Sequence, residues 1–262
     1  MSAPWIRRVL LPVLVVVVVI AVVVVVRSRS HDSAHPAKVH PGTIVSSTPI
    51  SGAPAGSTGW RIVYTTTTAT GEPAQSSGTV YVPTTPAPEG GRFVVAWAHP
   101  TLGMGQSCTP SQASDPSAAI PGFAQMMTNG WVVASTDYTG LGTDGVLPYL
   151  VSQGEAANVI DSVRAARSLP GVDASSTYAV WGHSQGGHAS LSTPALAGAY
   201  APELHLVGVA AAAPAAELSS LVQLQWQSQV AWIIGSEVVT TWPQFYPTVT
   251  EAQVTTAVGQ QN

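Results

Sequence analysis

The sequence predicts an α/β fold, a mostly parallel sheet with helices on both faces, entered through an antiparallel hairpin. Three observations predict it. Four short apolar runs, Phe93–Ala98, Trp131–Thr136, Thr177–Trp181 and Leu206–Ala213, have the near-continuous hydrophobicity of strands buried on both faces. Segments with helical signals lie between consecutive runs, which is the order of βαβ units. The third run opens into a glycine-flanked serine just before the next helix.

The elements follow in chain order. Val9–Val26 is an unbroken run of eighteen residues without a polar side chain. As a helix it would span about 27 Å, close to the thickness of a bilayer core. Arg7 and Arg8 precede it, and Arg27 and Arg29 follow. A signal peptide has a shorter apolar core, about 7–15 residues, and ends at a small-x-small site. Residues 1–27 therefore read as a transmembrane signal anchor, with a cleaved signal peptide as the alternative. The expected location is exported and membrane-anchored, with the domain outside the cytoplasm. Secretion after cleavage is the alternative. Residues 28–58 are rich in Ser, Pro, Gly, Ala and His and read as a flexible linker.

Residues 59–214 read as the α/β core. Arg61–Ala69 and Gly78–Val82 are rich in Thr, Tyr and Val and flank a Gly-Glu-Pro turn, as a hairpin does. After the strand Phe93–Ala98, a helix is predicted over Ala118–Asn129, closed by Gly130. Strand Trp131–Thr136 is followed by helix Gly154–Leu169. There Ala157, Ile160, Ala165 and Leu169 share a face, and Pro170-Gly171 stops the helix. In that helix Asp161 and Arg164 read as a surface pair of little energetic weight. Strand Thr177–Trp181, a helix from Gln185 to about Tyr200 and strand Leu206–Ala213 complete the series. Residues 215–262, with Leu218, Leu221, Trp226, Val230, Trp232 and Ile233, read as amphipathic helices, packed on the sheet or, as the resemblance described below implies, forming part of a cap.

Composition narrows the function. Only 8% of the 262 residues are charged, against about 25% in a typical domain. Beyond residue 38, four arginines face twelve acids, which gives phosphate backbones nothing to hold and excludes a nucleic-acid partner. The single cysteine, Cys108, cannot form an internal disulfide. No spacing of Cys, His and acids outlines a metal site, and no glycine-rich loop outlines a nucleotide site.

The chemistry concentrates at Gly182-His183-Ser184-Gln185-Gly186, a G-x-S-x-G pattern between a strand and a helix. So tight a turn crowds its neighbours, which is why glycines flank the serine by two. It lifts the hydroxyl above the sheet, at the positive end of the next helix. Ser184 is the candidate nucleophile. Such a serine needs backbone N–H donors for an oxyanion. Gln185, the next residue, is one. The other belongs to the loop His99-Pro100-Thr101-Leu102-Gly103. Pro100 has no N–H, so Thr101 is the first choice and Leu102 the second.

The segments WAHPTLG (97–103), STDYTGLG (135–142), DSVRAAR (161–167), WGHSQGGHA (181–189) and YAPELHLVGVAAAAP (200–214) resemble the secretory lipases, fungal lipase A-like and actinobacterial members of the α/β-hydrolases. The likeness runs over roughly residues 60–215 in the family's order. It departs at Pro100, where the family more often has Gly. The resemblance implies an α/β-hydrolase fold, no cofactor, and a serine carboxylic ester hydrolase acting through an acyl-enzyme on Ser184. Acylglycerols or other lipid and acyl esters would be its substrates. It also assigns Asp137, at a strand end, a loop-ordering role.

A serine nucleophile needs a histidine base and an orienting acid, in the chain order Ser, Asp/Glu, His. After Ser184 there is no Asp, and the histidines His188 and His205 precede three of the four glutamates. His188 lies a turn into the elbow helix, and His205 begins a strand at the far end of the sheet. His183 reads as a packing residue. The acid and the histidine are therefore expected beyond residue 262, with the last core strands absent. The alternative is a catalytically inactive acyl-binding remnant. Nothing in the sequence sets an oligomeric state.

Overall fold

The computed structural model describes residues 40–254. The Val9–Val26 run and its arginines lie outside the described residues. Among the described residues, no helix is long and apolar enough to cross a membrane.

Seven strands form one sheet: β1 (Ile44–Pro49), β2 (Ser57–Thr67), β3 (Pro73–Pro83), β4 (Arg92–Ala98), β5 (Val132–Thr136), β6 (Ala174–His183) and β7 (His205–Ala212). Their order is β1-β2-β3-β5-β4-β6-β7. β5, β4, β6 and β7 run parallel. β1, β2 and β3 form an antiparallel meander that joins the parallel part at β5. The meander has one strand more than the predicted hairpin. β1 lies within residues 28–58, expected as linker. Its Ser/Thr/Pro composition gives no strand signal, and its backbone is instead recruited by pairing with Arg61, Ile62 and Val63 of β2.

β4 shows why the apolar runs are continuous. Val94, Ala96 and Ala98 enter one core, and Val95 and Trp97 enter the other. The first core is covered by α2 (Ser152–Ser168) and α3 (Gln185–Tyr200), the second by α1 (Phe123–Thr128). The helix predicted over Ala118–Asn129 is split. Pro116–Ala119 forms a 3₁₀ turn, and Pro121 and Gly122, the latter at φ 79°, reset the chain before α1 begins.

The Asp161–Arg164 pair is not on the surface. Asp161 is fully buried and accepts from the Thr66 hydroxyl (2.7 Å), the Tyr200 hydroxyl (2.7 Å) and Arg164 (2.8 Å). Arg164 also donates to Glu203 (2.6 Å) and to the Tyr200 carbonyl (2.7 Å). α2 is buried along most of its length, and a polar side chain there is stable because β2 and α3 bring its partners. Burial pushes the Asp161 carboxyl up to about 6.

Beyond β7 lie α4 (Leu218–Gln225), α5 (Gln229–Thr241) and α6 (Glu251–Val254). Ser228 caps α5, its hydroxyl accepting from the Ala231 N–H at 3.2 Å. Ala231, Glu237 and Thr241 of α5 are buried, and Ile234 and Val238 pack on the first core. Val230, Trp232 and Ile233 remain exposed.

Candidate active site

β6 runs into α3 through a single residue, Ser184, at φ 54° and ψ −114°. A non-glycine residue so placed costs on the order of 1–3 kcal/mol and persists only where its surroundings fix it. Three backbone hydrogen bonds fix it here. The Ser184 N–H donates to Ala212 (3.0 Å), and its carbonyl accepts from His188 (3.0 Å) and Ala215 (3.1 Å). The flanking glycines are sterically required. A Cβ on Gly182 would lie 2.1 Å from the Gly186 carbonyl oxygen, and one on Gly186 would lie 1.9 Å from that of Ala98. The Ser184 side chain is half-buried, and Gln185, the first residue of α3, is buried.

Ala98 is in register with Gly182, so the loop leaving β4 starts beside the elbow. That loop is tied down. His99 is buried, with Nδ1 2.7 Å from the Pro100 carbonyl and Nε2 3.2 Å from that of Asp137. The Thr101 hydroxyl is 2.8 Å from the Tyr149 hydroxyl, while Leu102 is exposed. Tyr149 also accepts, at its carbonyl, from the Trp242 indole N–H at 2.9 Å. The segments around 101, 149 and 242 thus form one connected rim.

Asp137 spends both carboxylate oxygens on structure. One accepts from the Ser111 N–H (3.0 Å), the other from the Ser77 hydroxyl (2.6 Å). Burial pushes its pKa up. His183, at the end of β6, is exposed rather than packed. His205 is exposed at the start of β7, opposite the rim.

His188 is engaged away from Ser184. Its Nδ1 lies 2.6 Å from Glu155 Oε2, and its Nε2 lies 3.3 Å from the Ser152 hydroxyl. The second oxygen of Glu155 accepts from the Leu150 N–H (3.0 Å) and the Gln185 side-chain amide (2.9 Å). Glu155 thereby clamps the elbow helix to the start of α2. Sequence reasoning missed it. The only local signal was one carboxylate among the small apolar residues of a buried helix, and its partner is 33 positions away. Glu237, over the rim on α5, is buried with Oε2 unpartnered among the described residues, and desolvation pushes its pKa up to about 7. No cluster of three or more His, Cys, Asp or Glu among the described residues could hold a metal ion.

Residues 119–258 match the family model of the secretory lipases. The chain is 29% identical over 194 residues to the Mycobacterium tuberculosis protein named "probable inactive lipase MT1628", covering 68% of this chain and 43% of that one. Among solved structures it resembles the rice cell wall degrading esterase LipA from Xanthomonas oryzae, with a TM-score of 0.55 and 28% identity, over 64% of this chain and 48% of that one. It also superimposes on Candida antarctica lipase A in its closed state, with a TM-score of 0.68 and 20% identity, over 85% of this chain and 54% of that one. The chain spans about half the length of these proteins, and less than half of the curated relative.

Proposed function

The chain belongs to the secretory lipase family and has the α/β-hydrolase fold, and from that premise we propose that it is a serine carboxylic ester hydrolase with Ser184 as nucleophile. The observation that carries the reading is the elbow. Ser184 is held at φ 54° between a strand and a helix, where neither flanking glycine has room for a Cβ. The Ser184 hydroxyl attacks the acyl carbon, and the N–H groups of Gln185 and Thr101 receive the oxyanion. The acyl-enzyme is then released by water. Acylglycerols or other lipid and acyl esters are the substrates, and the exposed Trp226, Trp232 and Ile233 offer them an apolar approach.

Neither histidine that follows Ser184 among the described residues is placed to take its proton, because His188 is committed to Glu155 and Ser152, and His205 is at the wrong end of β7. This same observation favours a second reading, an acyl-binding protein without turnover. Hydrolysis of p-nitrophenyl butyrate decides between them. Turnover that falls at least about a hundredfold in Ser184→Ala supports the hydrolase. Ester binding without Ser184-dependent turnover supports the acyl-binding reading. The same proposal places the domain outside the cytoplasm, anchored through Val9–Val26. Recovery of the intact N-terminus in the membrane fraction is the expected result. A soluble protein starting near residue 35 would show cleavage instead.

A further inference from the structure

A serine, a histidine and a carboxylate do stand in hydrogen-bonded series in this chain, but the serine is not Ser184. We propose that Ser152 is a second nucleophile, served by His188 and Glu155, that accepts the acyl group of small activated carboxylic esters. The inference does not rest on the Ser184 reading.

The geometry supplies each role. Glu155 is fully buried, and its two oxygens accept from Leu150, Gln185 and His188, so it is held as an acceptor. A carboxylate accepts only, so the 2.6 Å contact puts the imidazole proton on Nδ1. Nε2 is left with a lone pair, and the Ser152 hydroxyl, 3.3 Å away, donates into it. That distance is long for catalysis, as such contacts commonly are without substrate. The series also runs from outside to inside. Ser152 is half-buried, the His188 side chain behind it is 13% exposed, and Glu155 is sealed, so that the serine is the outermost of the three and the acid is kept from water.

The position suits the chemistry. Ser152 is the first residue of α2, at the edge where parallel strands end and where such folds bind ligands. Val151 precedes it without a side-chain cap. The N–H groups of Ser152 and Gln153 therefore have neither an intrahelical acceptor nor a cap, and they supply donors for an oxyanion. The Ser152 oxygen attacks the ester carbon, and its proton passes to His188 Nε2. Collapse of the tetrahedral adduct breaks the carbon–oxygen bond, and the alkoxide leaves with that proton as an alcohol. Water then gives a proton to His188 and adds to the acyl carbon, and the carboxylic acid leaves as His188 returns that proton to the Ser152 oxygen.

A fluorophosphonate probe tests this on the full chain, with the modified serine located by peptide mass spectrometry. Attack releases fluoride, and the serine proton goes to His188. The expected result is phosphonylated Ser152 in the wild type and in Ser184→Ala, with labelling about 100-fold slower in His188→Gln. Circular dichroism and thermal unfolding check that His188→Gln is folded. Label on Ser184 alone would overturn the inference and support the Ser184 nucleophile. Label on Ser152 alone would do the reverse. If Ser152 stays unlabelled in the folded wild type, the inference fails whatever the variants do. A folded His188→Gln protein labelled at the wild-type rate would reduce His188 and Glu155 to a structural clamp.

Discussion

β4 and β7 read alike in sequence and differ in the molecule. Both are short, mainly apolar runs, and both pair in parallel with β6. β4 lies inside the sheet, and six of its seven residues are buried. β7 is the last strand in the order, and none of its eight residues is buried. An apolar run therefore announces a strand but not its burial, which depends on neighbours contributed from elsewhere in the chain. The same contrast separates α2, buried along most of its length, from α4, which has no buried residue.

Substitutions on the two sides of this contrast should differ by an order of magnitude. The largest effect is expected at the inner half. Asp161→Ala leaves Arg164 and two hydroxyls short of a buried acceptor and should cost about 4 kcal/mol in denaturant unfolding. Gly186→Ala should cost about 3 kcal/mol, because its Cβ must push α3 away from Ala98. A loss below about 1 kcal/mol in either would mean that the elbow side is no more tightly built than the edge.

The pH dependence comes next. Burial raises the folded-state pKa of Glu237 to about 7 and of Asp161 to about 6, above the values of an unfolded chain. The folded state therefore holds more protons than the unfolded state between about pH 4 and 7. The contribution of these two groups to stability is therefore full below that window and is lost as pH rises through it. Thermal unfolding of Glu237→Gln should show a flatter profile near pH 7 than the wild type, and an unchanged slope would show that Glu237 is not desolvated. The smallest effect is expected at the outer strand. Val207 is 62% exposed, so Val207→Lys should shift stability by less than about 0.5 kcal/mol. It should nonetheless lower aggregation measured by light scattering, since a charge on an open strand edge blocks pairing with another chain.

Legibility in the sequence follows the range of the interaction. The strand β6, the helix α3 and the turn between them are local, and the apolar run with Gly182, Ser184 and Gly186 states them directly. β1 carries no local signal, because its Ser/Thr/Pro stretch becomes a strand only by pairing with β2. The burial of Asp161 is not legible in its own helix, because Thr66 and Tyr200 reach it from distant positions. Glu155 and His188 sit on different helices, and neither helix pattern contains the other.

The indole of Trp242 holds the Tyr149 carbonyl, and the Tyr149 hydroxyl holds Thr101. Two hydrogen bonds thus gear the C-terminal helices to the loop that leaves β4. Through Tyr149 alone, the segment that follows α5 and the loop that leaves β4 share one anchor, so that a change at this single tyrosine reaches both.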